Sequence, residues 1–263
     1  MNRNILTVPV QRVEGQTRTP LQDLLAVEDP LEIRLNGQVV SLTMRTPGHD
    51  PELAVGFVFS EGILQSAEQI AEVTQGPNSV DLRLKPGQDI DFERLQRNFY
   101  MTSSCGVCGK ASIEALYAAE CPTIARGIPV FEAQSIHSLP EKLREAQRVF
   151  DHTGGLHAAA LFDAAGNLTT LREDVGRHNA VDKVIGAQLL AGRTPCSNSL
   201  LLVSSRASFE LMQKALMAGI PILAAVGAPS SLAVEVAQRF GMTLLGFVRD
   251  GRFNIYSGAD RIQ

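Results

Sequence analysis

A chain of 263 residues is long enough to bury a substantial core, as one large domain or two unequal ones. With 44% hydrophobic and 20% charged residues, its composition is globular and excludes a disordered tail protein. The net charge of −4, from 24 basic and 28 acidic residues, gives no global attraction to nucleic acid or anionic lipid, so an anionic ligand must be met by a local cluster of cations.

The stretch from Met1 to Val10 holds no apolar run of signal-peptide length, and the later apolar stretches are interrupted by charge or glycine. A cytoplasmic protein without a membrane segment is expected. Residues up to about Pro20 show no sustained period and read as an arm pairing with something later. Leu31, Ile33 and Leu35, then Asn36-Gly37, then Val40, Leu42 and Met44 form two period-2 runs around a strong hairpin signal. They predict an antiparallel pair with one buried face. Asp50 as cap, Pro51 at the first helical position and Glu52 against the dipole predict a largely buried helix through Glu61 that stops at Gly62. Gly76-Pro77-Asn78 separates two further strands, and a short helix is expected over 89–97.

Beyond the cysteine-bearing stretch, Ser138-Leu139-Pro140-Glu141 predicts a helix start, with the helix running through Val149 and ending before Gly154-Gly155. His157 to Phe162 and Leu168 to Leu171 flank a turn and suit a second hairpin. Arg177 to Ala191 reads as a helix with Val181, Val184, Ile185 and Leu189 on one side. The last third alternates strand and helix, with strands over 199–203, 222–226 and 243–248 and helices over 209–217 and 231–240. Such a βαβαβ order implies parallel strands with right-handed crossovers. Asp250-Gly251 then turns the chain into a final antiparallel strand.

Two thiols two residues apart, Cys105 and Cys108, sit among glycines and small hydroxyls in Thr102-Ser103-Ser104-Cys105-Gly106-Val107-Cys108-Gly109-Lys110. A helical pattern over 112–119 places Cys108 near a helix N-terminus and Lys110 adds a cation, two features that raise thiolate content. By itself the pair suits a structural zinc half-site or a buried pair as well as redox or sulfur chemistry. His157 could complete a His-Cys-Cys zinc set for a deaminase-type hydrolase. That chemistry needs a glutamate two residues after the histidine and a proline before the first cysteine, where this chain has Ala159 and Ser104. Cys121 and Cys196 lack paired spacing and read as core residues.

In open α/β sheets, ligands sit beyond the carboxyl ends of the parallel strands. That rule singles out Ser204-Ser205-Arg206-Ala207-Ser208 and Phe247-Val248-Arg249-Asp250-Gly251-Arg252, each of which also reads as a capped helix start or a solvated hairpin tip. Glu173-Asp174-Val175-Gly176-Arg177-His178-Asn179 crowds two acids, an arginine, a histidine and an amide before a helix, with Asp174 as a cap as its structural reading.

These blocks, with Gly154-Gly155-Leu156-His157-Ala158-Ala159 and Thr46-Pro47 followed by Glu52 to Gly62, make the chain resemble the FdhD family, sulfur-carrier accessory proteins of formate dehydrogenase. The match runs in order from about residue 30 to 257. The resemblance implies an α/β fold with a cytidine-deaminase-like core, a parallel βαβαβ C-terminal part and a smaller N-terminal antiparallel β-rich part. Residues 1–100 would form the β-rich lobe with one buried helix, and 101–263 the deaminase-like domain carrying the Cys-x-x-Cys loop. It further implies a homodimeric sulfurtransferase-type carrier that takes sulfane sulfur from a cysteine desulfurase. The acceptor is the molybdenum or tungsten bis-(pterin guanine dinucleotide) cofactor of the formate dehydrogenase catalytic subunit, with no cofactor permanently bound. Carried over, Cys105 matches the persulfide-forming cysteine and Cys108 its partner, and Phe247 to Arg252 correspond to the guanine-dinucleotide segment. Arg206, Ser208 and His178 join them as candidate cofactor-binding residues. A chaperone that only holds the cofactor or the apo-enzyme is the non-catalytic alternative.

Overall fold

The computed structural model describes residues 4–88 and 121–263. Cys105, Cys108 and the helices expected over 89–97 and 112–119 lie outside the described residues. Strands β1 (Ile5–Glu14) and β2 (Thr17–Ala26) pair antiparallel with each other as a separate two-stranded ribbon. The expected arm thus folds back on itself around Gly15, whose φ of 63° suits the tight turn. Both faces of the ribbon are mostly exposed, so burial imposes no alternation there and no period is visible.

Strands β3 (Asp29–Leu35), β4 (Gln38–Arg45), β5 (Ile70–Gln75) and β6 (Ser79–Leu84) form a four-stranded sheet in the order β4-β3-β6-β5. The Asn36-Gly37 hairpin is present, and Leu31, Ile33 and Leu35 are fully buried. Its second strand departs from the expectation: Leu42 and Met44 are 66% and 46% exposed, and only Val40 is buried. A bulge is the reason. Ile33 pairs with Ser41 and Arg34 with Val39, which leaves Val40 as the extra residue and puts Leu42 and Met44 on the opposite face.

Helix α1 (Asp50–Ser60) has the predicted span and is largely buried, but its N-cap position is taken by His49, without a side-chain cap bond, and not by Asp50. The Asp50 carboxylate instead accepts Arg45 Nε at 3.0 Å and Nη2 at 2.9 Å, because an arginine 1% exposed must find a counter-charge.

The second sheet has six strands: β7 (His157–Phe162), β8 (Leu168–Asp174), β9 (Leu200–Val203), β10 (Ile222–Ala225), β11 (Thr243–Arg249) and β12 (Arg252–Ser257), in the order β12-β11-β10-β9-β7-β8. The three strands β9, β10 and β11 run parallel, as the βαβαβ pattern requires, and β12 returns antiparallel. Helices α2 (Ala133–Ala146) and α3 (Arg148–Thr153) precede β7, and α4 (Arg177–Leu190), α5 (Phe209–Met217) and α6 (Ser231–Arg239) follow. Alternate residues separate the sheet's two faces. Ala158, Ala160, Leu200 and Leu202 pack with α2, while Ala159, Leu161, Leu201 and Val203 join the larger core with α4, α5 and α6. Burial on both faces is why the parallel strands read as continuous apolar runs. The fold is α/β.

Helix α2 begins five residues before the expected start, at Ala133, with Pro140 inside it. Its first N–H groups gain a partner from the far end of the chain: Ala133 donates to the carbonyl of Gln263 at 2.6 Å, a pairing that no local pattern reveals. Helix α4 is buried on all sides from Ala180 to Leu189, not on one side only, because the sheet covers one face and α1 the other. The two helices touch backbone to backbone. A Cβ on Gly56 would lie 1.8 Å from the Asp182 carbonyl oxygen, and one on Gly186 would lie 1.8 Å from that of Glu52. Among the described residues no helix is long and apolar enough to cross a membrane.

Candidate functional site

The carboxyl ends of β9, β10 and β11 surround a cleft of about 320 Å³ lined by His157, Arg177, Ser204, Ser205, Arg206, Val226, Gly227 and Arg249. Parallel strands create it, since the chain leaves each of them at the same edge and turns away toward a helix. Ser204 ties its floor together, donating its N–H to the Ala158 carbonyl at 3.0 Å and accepting the Ala158 N–H on Oγ at 2.9 Å. Gly227 admits Arg206, because a Cβ at 227 would meet the Arg206 backbone nitrogen and Cα at 3.1 Å.

Arg249 reaches the cleft through an irregularity in β11. The register with β12 slips between Gly246 and Arg249, and Phe247 takes a φ of 55°, an uncommon conformation for a bulky residue. The Arg249 guanidinium then lies 5.8 Å from the Phe247 ring centroid, within cation–π range. Val248 is buried in the core facing α2. Asp250 and Gly251, with φ of 53° and 68°, make the tight turn, and Arg252 opens β12 directly opposite Arg249, with its side chain exposed.

Of the candidate binding residues, Arg206 and Arg249 meet in the cleft, whereas Phe247, Val248, Asp250, Gly251 and Arg252 do not line it. Ser208 is the N-cap residue of α5, with no side-chain cap bond, and does not line the cleft. His178 is in the first turn of α4, its Nε2 3.9 Å from Glu210 Oε2. Burial and the nearby Arg177 and Lys214 push its pKa down to about 4, so the imidazole is neutral at neutral pH. His157 opens β7 in the cleft wall, and burial and Arg177 lower its pKa as well.

The dense segment before α4 divides into two jobs. Asp174, fully buried, pairs with Lys183 Nζ at 2.6 Å and accepts the Gly176 N–H at 2.8 Å. Glu173 accepts the Val149 and Phe150 N–H groups at 3.1 and 2.9 Å, capping α3. Arg177 alone of this segment turns into the cleft, and the sequence offers one sign of it: a cation in the first turn of a helix, where the dipole disfavours it. Among the described residues neither Arg177 nor Arg206 forms an ion pair, and Arg249 meets only its neighbour Asp250, at 3.9 Å. The cleft therefore concentrates unmatched positive charge in an acidic chain, and its chemistry is that of an anion receptor.

The molecule is thus of the class of α/β proteins with a cationic cleft at the carboxyl edge of a parallel sheet. The FdhD/NarQ family model matches residues 26–263, and the chain belongs to that family. It is 54% identical to a protein of Streptomyces avermitilis named sulfur carrier protein FdhD, over 96% of this chain and 94% of that one. A protein of the same name from Sulfurisphaera tokodaii is 44% identical, over 97% and 98% of the two chains. In three dimensions the fold matches a crystal structure of a protein from Desulfotalea psychrophila, assigned provisionally as a formate dehydrogenase accessory protein. That match has a TM-score of 0.80 and 26% identity, covering 98% of this chain and 99% of the other.

Proposed function

We propose that the chain is a sulfur carrier serving formate dehydrogenase, in which Cys105 takes sulfane sulfur from a cysteine desulfurase and delivers it to a molybdenum or tungsten bis-(pterin guanine dinucleotide) cofactor. The observation that carries this reading is the cleft of unmatched arginines in a chain whose relatives are named sulfur carriers. A guanine-dinucleotide cofactor is rich in phosphate, and guanidinium groups recognise phosphate oxygens by paired hydrogen bonds.

The Cys105 thiolate attacks the outer sulfur of the donor's persulfide. A new sulfur–sulfur bond forms at Cys105, the donor's own sulfur–sulfur bond breaks, and the donor leaves as a thiolate, with no net oxidation. Delivery reverses the polarity. A nucleophile attacks the Cys105 persulfide: either an acceptor takes the outer sulfur and Cys105 leaves as thiolate, or the Cys108 thiolate closes a disulfide and releases hydrosulfide toward the acceptor. Gly106 and Gly109 leave no side chains to obstruct the two large partners. A homodimer belongs to this proposal.

Incubation of the full chain with a desulfurase and cysteine tests it. The mass should rise by one sulfur, reductant should remove the gain, and Cys105→Ala should not load. Equal loading of the alanine variant overturns the role of Cys105, and stoichiometric zinc in the purified protein would favour the hydrolase instead.

A further inference from the structure

We propose that Arg177 is the third arm of the anion clamp formed with Arg206 and Arg249, and that the segment preceding α4 is built to hold its guanidinium over the phosphates of a nucleoside diphosphate group. This deepens the reading of the cleft as the nucleotide-acceptor site and rests on it. Three separate elements supply the three arginines: the first turn of α4, the loop after β9 and the end of β11.

The start of α4 breaks the local rules for a helix N-terminus. Its cap is Gly176 with no side-chain bond, its first turn contains no acid, and its first two residues are Arg177 and His178. The Arg177 charge there adds to the positive end of the dipole rather than offsetting it, and the neutral His178 does nothing to balance it. Local conflicts of this kind concentrate at functional sites, where a ligand resolves them. An anion in the cleft would do so, since it would meet Arg177 and the positive end of the helix together.

The turn carrying Arg177 is also held with unusual thoroughness. Asp174 Oδ1 accepts the Gly176 N–H and, at 3.0 Å, Asn179 Nδ2. Asn179 Nδ2 also donates to the Met44 carbonyl at 2.8 Å, and the Val175 N–H donates to Thr46 Oγ1 at 3.2 Å. Lys183 closes the arrangement, with Nζ on the Thr46 carbonyl at 2.8 Å and on Asp174. A Cβ at 176 would come within 3.0 Å of Asn179 Nδ2, so glycine lets this packing close. The turn is pinned from the N-terminal sheet through Met44 and Thr46, and the residue it presents to the cleft is Arg177. Preorganised donors bind an anion without the entropy cost of ordering them.

The experiment is titration calorimetry of the full-length protein with GDP and with inorganic pyrophosphate, on wild type, Arg177→Ala, Arg177→Lys and Arg83→Ala. Arg83 is an exposed arginine paired with Glu72, far from the cleft in sequence and sheet. Loss of Arg177 should weaken GDP on the order of tenfold, the scale of one charge-assisted hydrogen-bonded contact, and flatten the dependence of affinity on salt. Lysine should recover part of the affinity, as a point charge without the planar fork. Arg83→Ala should bind as wild type. Thermal melts establish that each variant is folded. Wild-type affinity in a folded Arg177→Ala overturns the clamp, as does a loss of the same size in Arg83→Ala. Failure of the wild type to load sulfur would overturn the carrier reading and leave these binding results standing.

Discussion

The charges between α1, α4 and α5 and the charges in the cleft follow opposite rules. Lys214, fully enclosed, places Nζ 2.8 Å from Ser60 Oγ, 2.9 Å from Asp182 Oδ1 and 3.0 Å from Glu61 Oε1, and Ser60 in turn donates to Asp182 at 2.7 Å. Burial alone would lower the Lys214 pKa, but Asp182 and Glu61 outweigh it and hold the ammonium charged. Arg45 with Asp50, and Lys183 with Asp174, are matched in the same way. At the cleft, less than one helix length away along α4, Arg177 and Arg206 form no ion pair among the described residues, and Arg249 meets only the exposed Asp250, at 3.9 Å. Desolvation forces pairing in the interior. Where water can stand in for a partner, unmatched charge costs little, and the three guanidinium groups around one cleft are where we propose that a ligand completes the set.

The largest effect should come from breaking an interior match. Lys214→Met leaves Asp182 buried and uncompensated and should cost about 3–5 kcal/mol. The pair Lys214→Met with Asp182→Leu should cost less than the single change. Urea denaturation of the three proteins checks this, and a double variant less stable than the single would break the contrast.

A smaller effect lies between the two regions, at His178. Its folded-state pKa of about 4 lies below the ordinary 6.5, so the unfolded chain takes up the proton first as pH falls. The neutral imidazole's contribution is fully present above pH 6.5 and is lost as pH drops from there to about 4. His178→Gln should flatten the stability profile in that window and leave it unchanged above; denaturation midpoints across the range would show it.

The smallest effect on stability is expected in the cleft itself. Arg206→Ala should shift stability by less than about 0.5 kcal/mol while weakening pyrophosphate binding, because among the described residues that side chain has no ion pair to lose. A marked destabilisation, read by the same denaturation assay, would mean that Arg206 belongs to the matched class.

Much of this was legible in the chain because the signals are local. The Asn36-Gly37 turn, the apolar runs of β9 and β10 and the Asp250-Gly251 turn each rest on neighbouring residues. The cleft's place also follows from strand order alone. What escaped depends on distant partners. The bulge at Val40 reverses Leu42 and Met44, Asp50 serves Arg45 rather than its helix, and α2 starts at Ala133 because the C-terminal residues receive it. Arg177 stood in plain view among acids that could have paired with it, and only the fold shows those acids committed elsewhere, Asp174 to Lys183 and Glu173 to the start of α3. Conversely, Arg252 stands directly opposite Arg249 across the turn, yet only Arg249 lines the cleft.

The central claim is that the sulfur held at Cys105 is delivered to an acceptor seated in the arginine cleft. It is tested most directly by loading the chain with radiolabelled sulfur and following label into the guanine-dinucleotide cofactor, with and without excess GDP. The account predicts that GDP blocks transfer from the loaded chain while leaving loading by the desulfurase intact. Transfer at an undiminished rate under saturating GDP would contradict it.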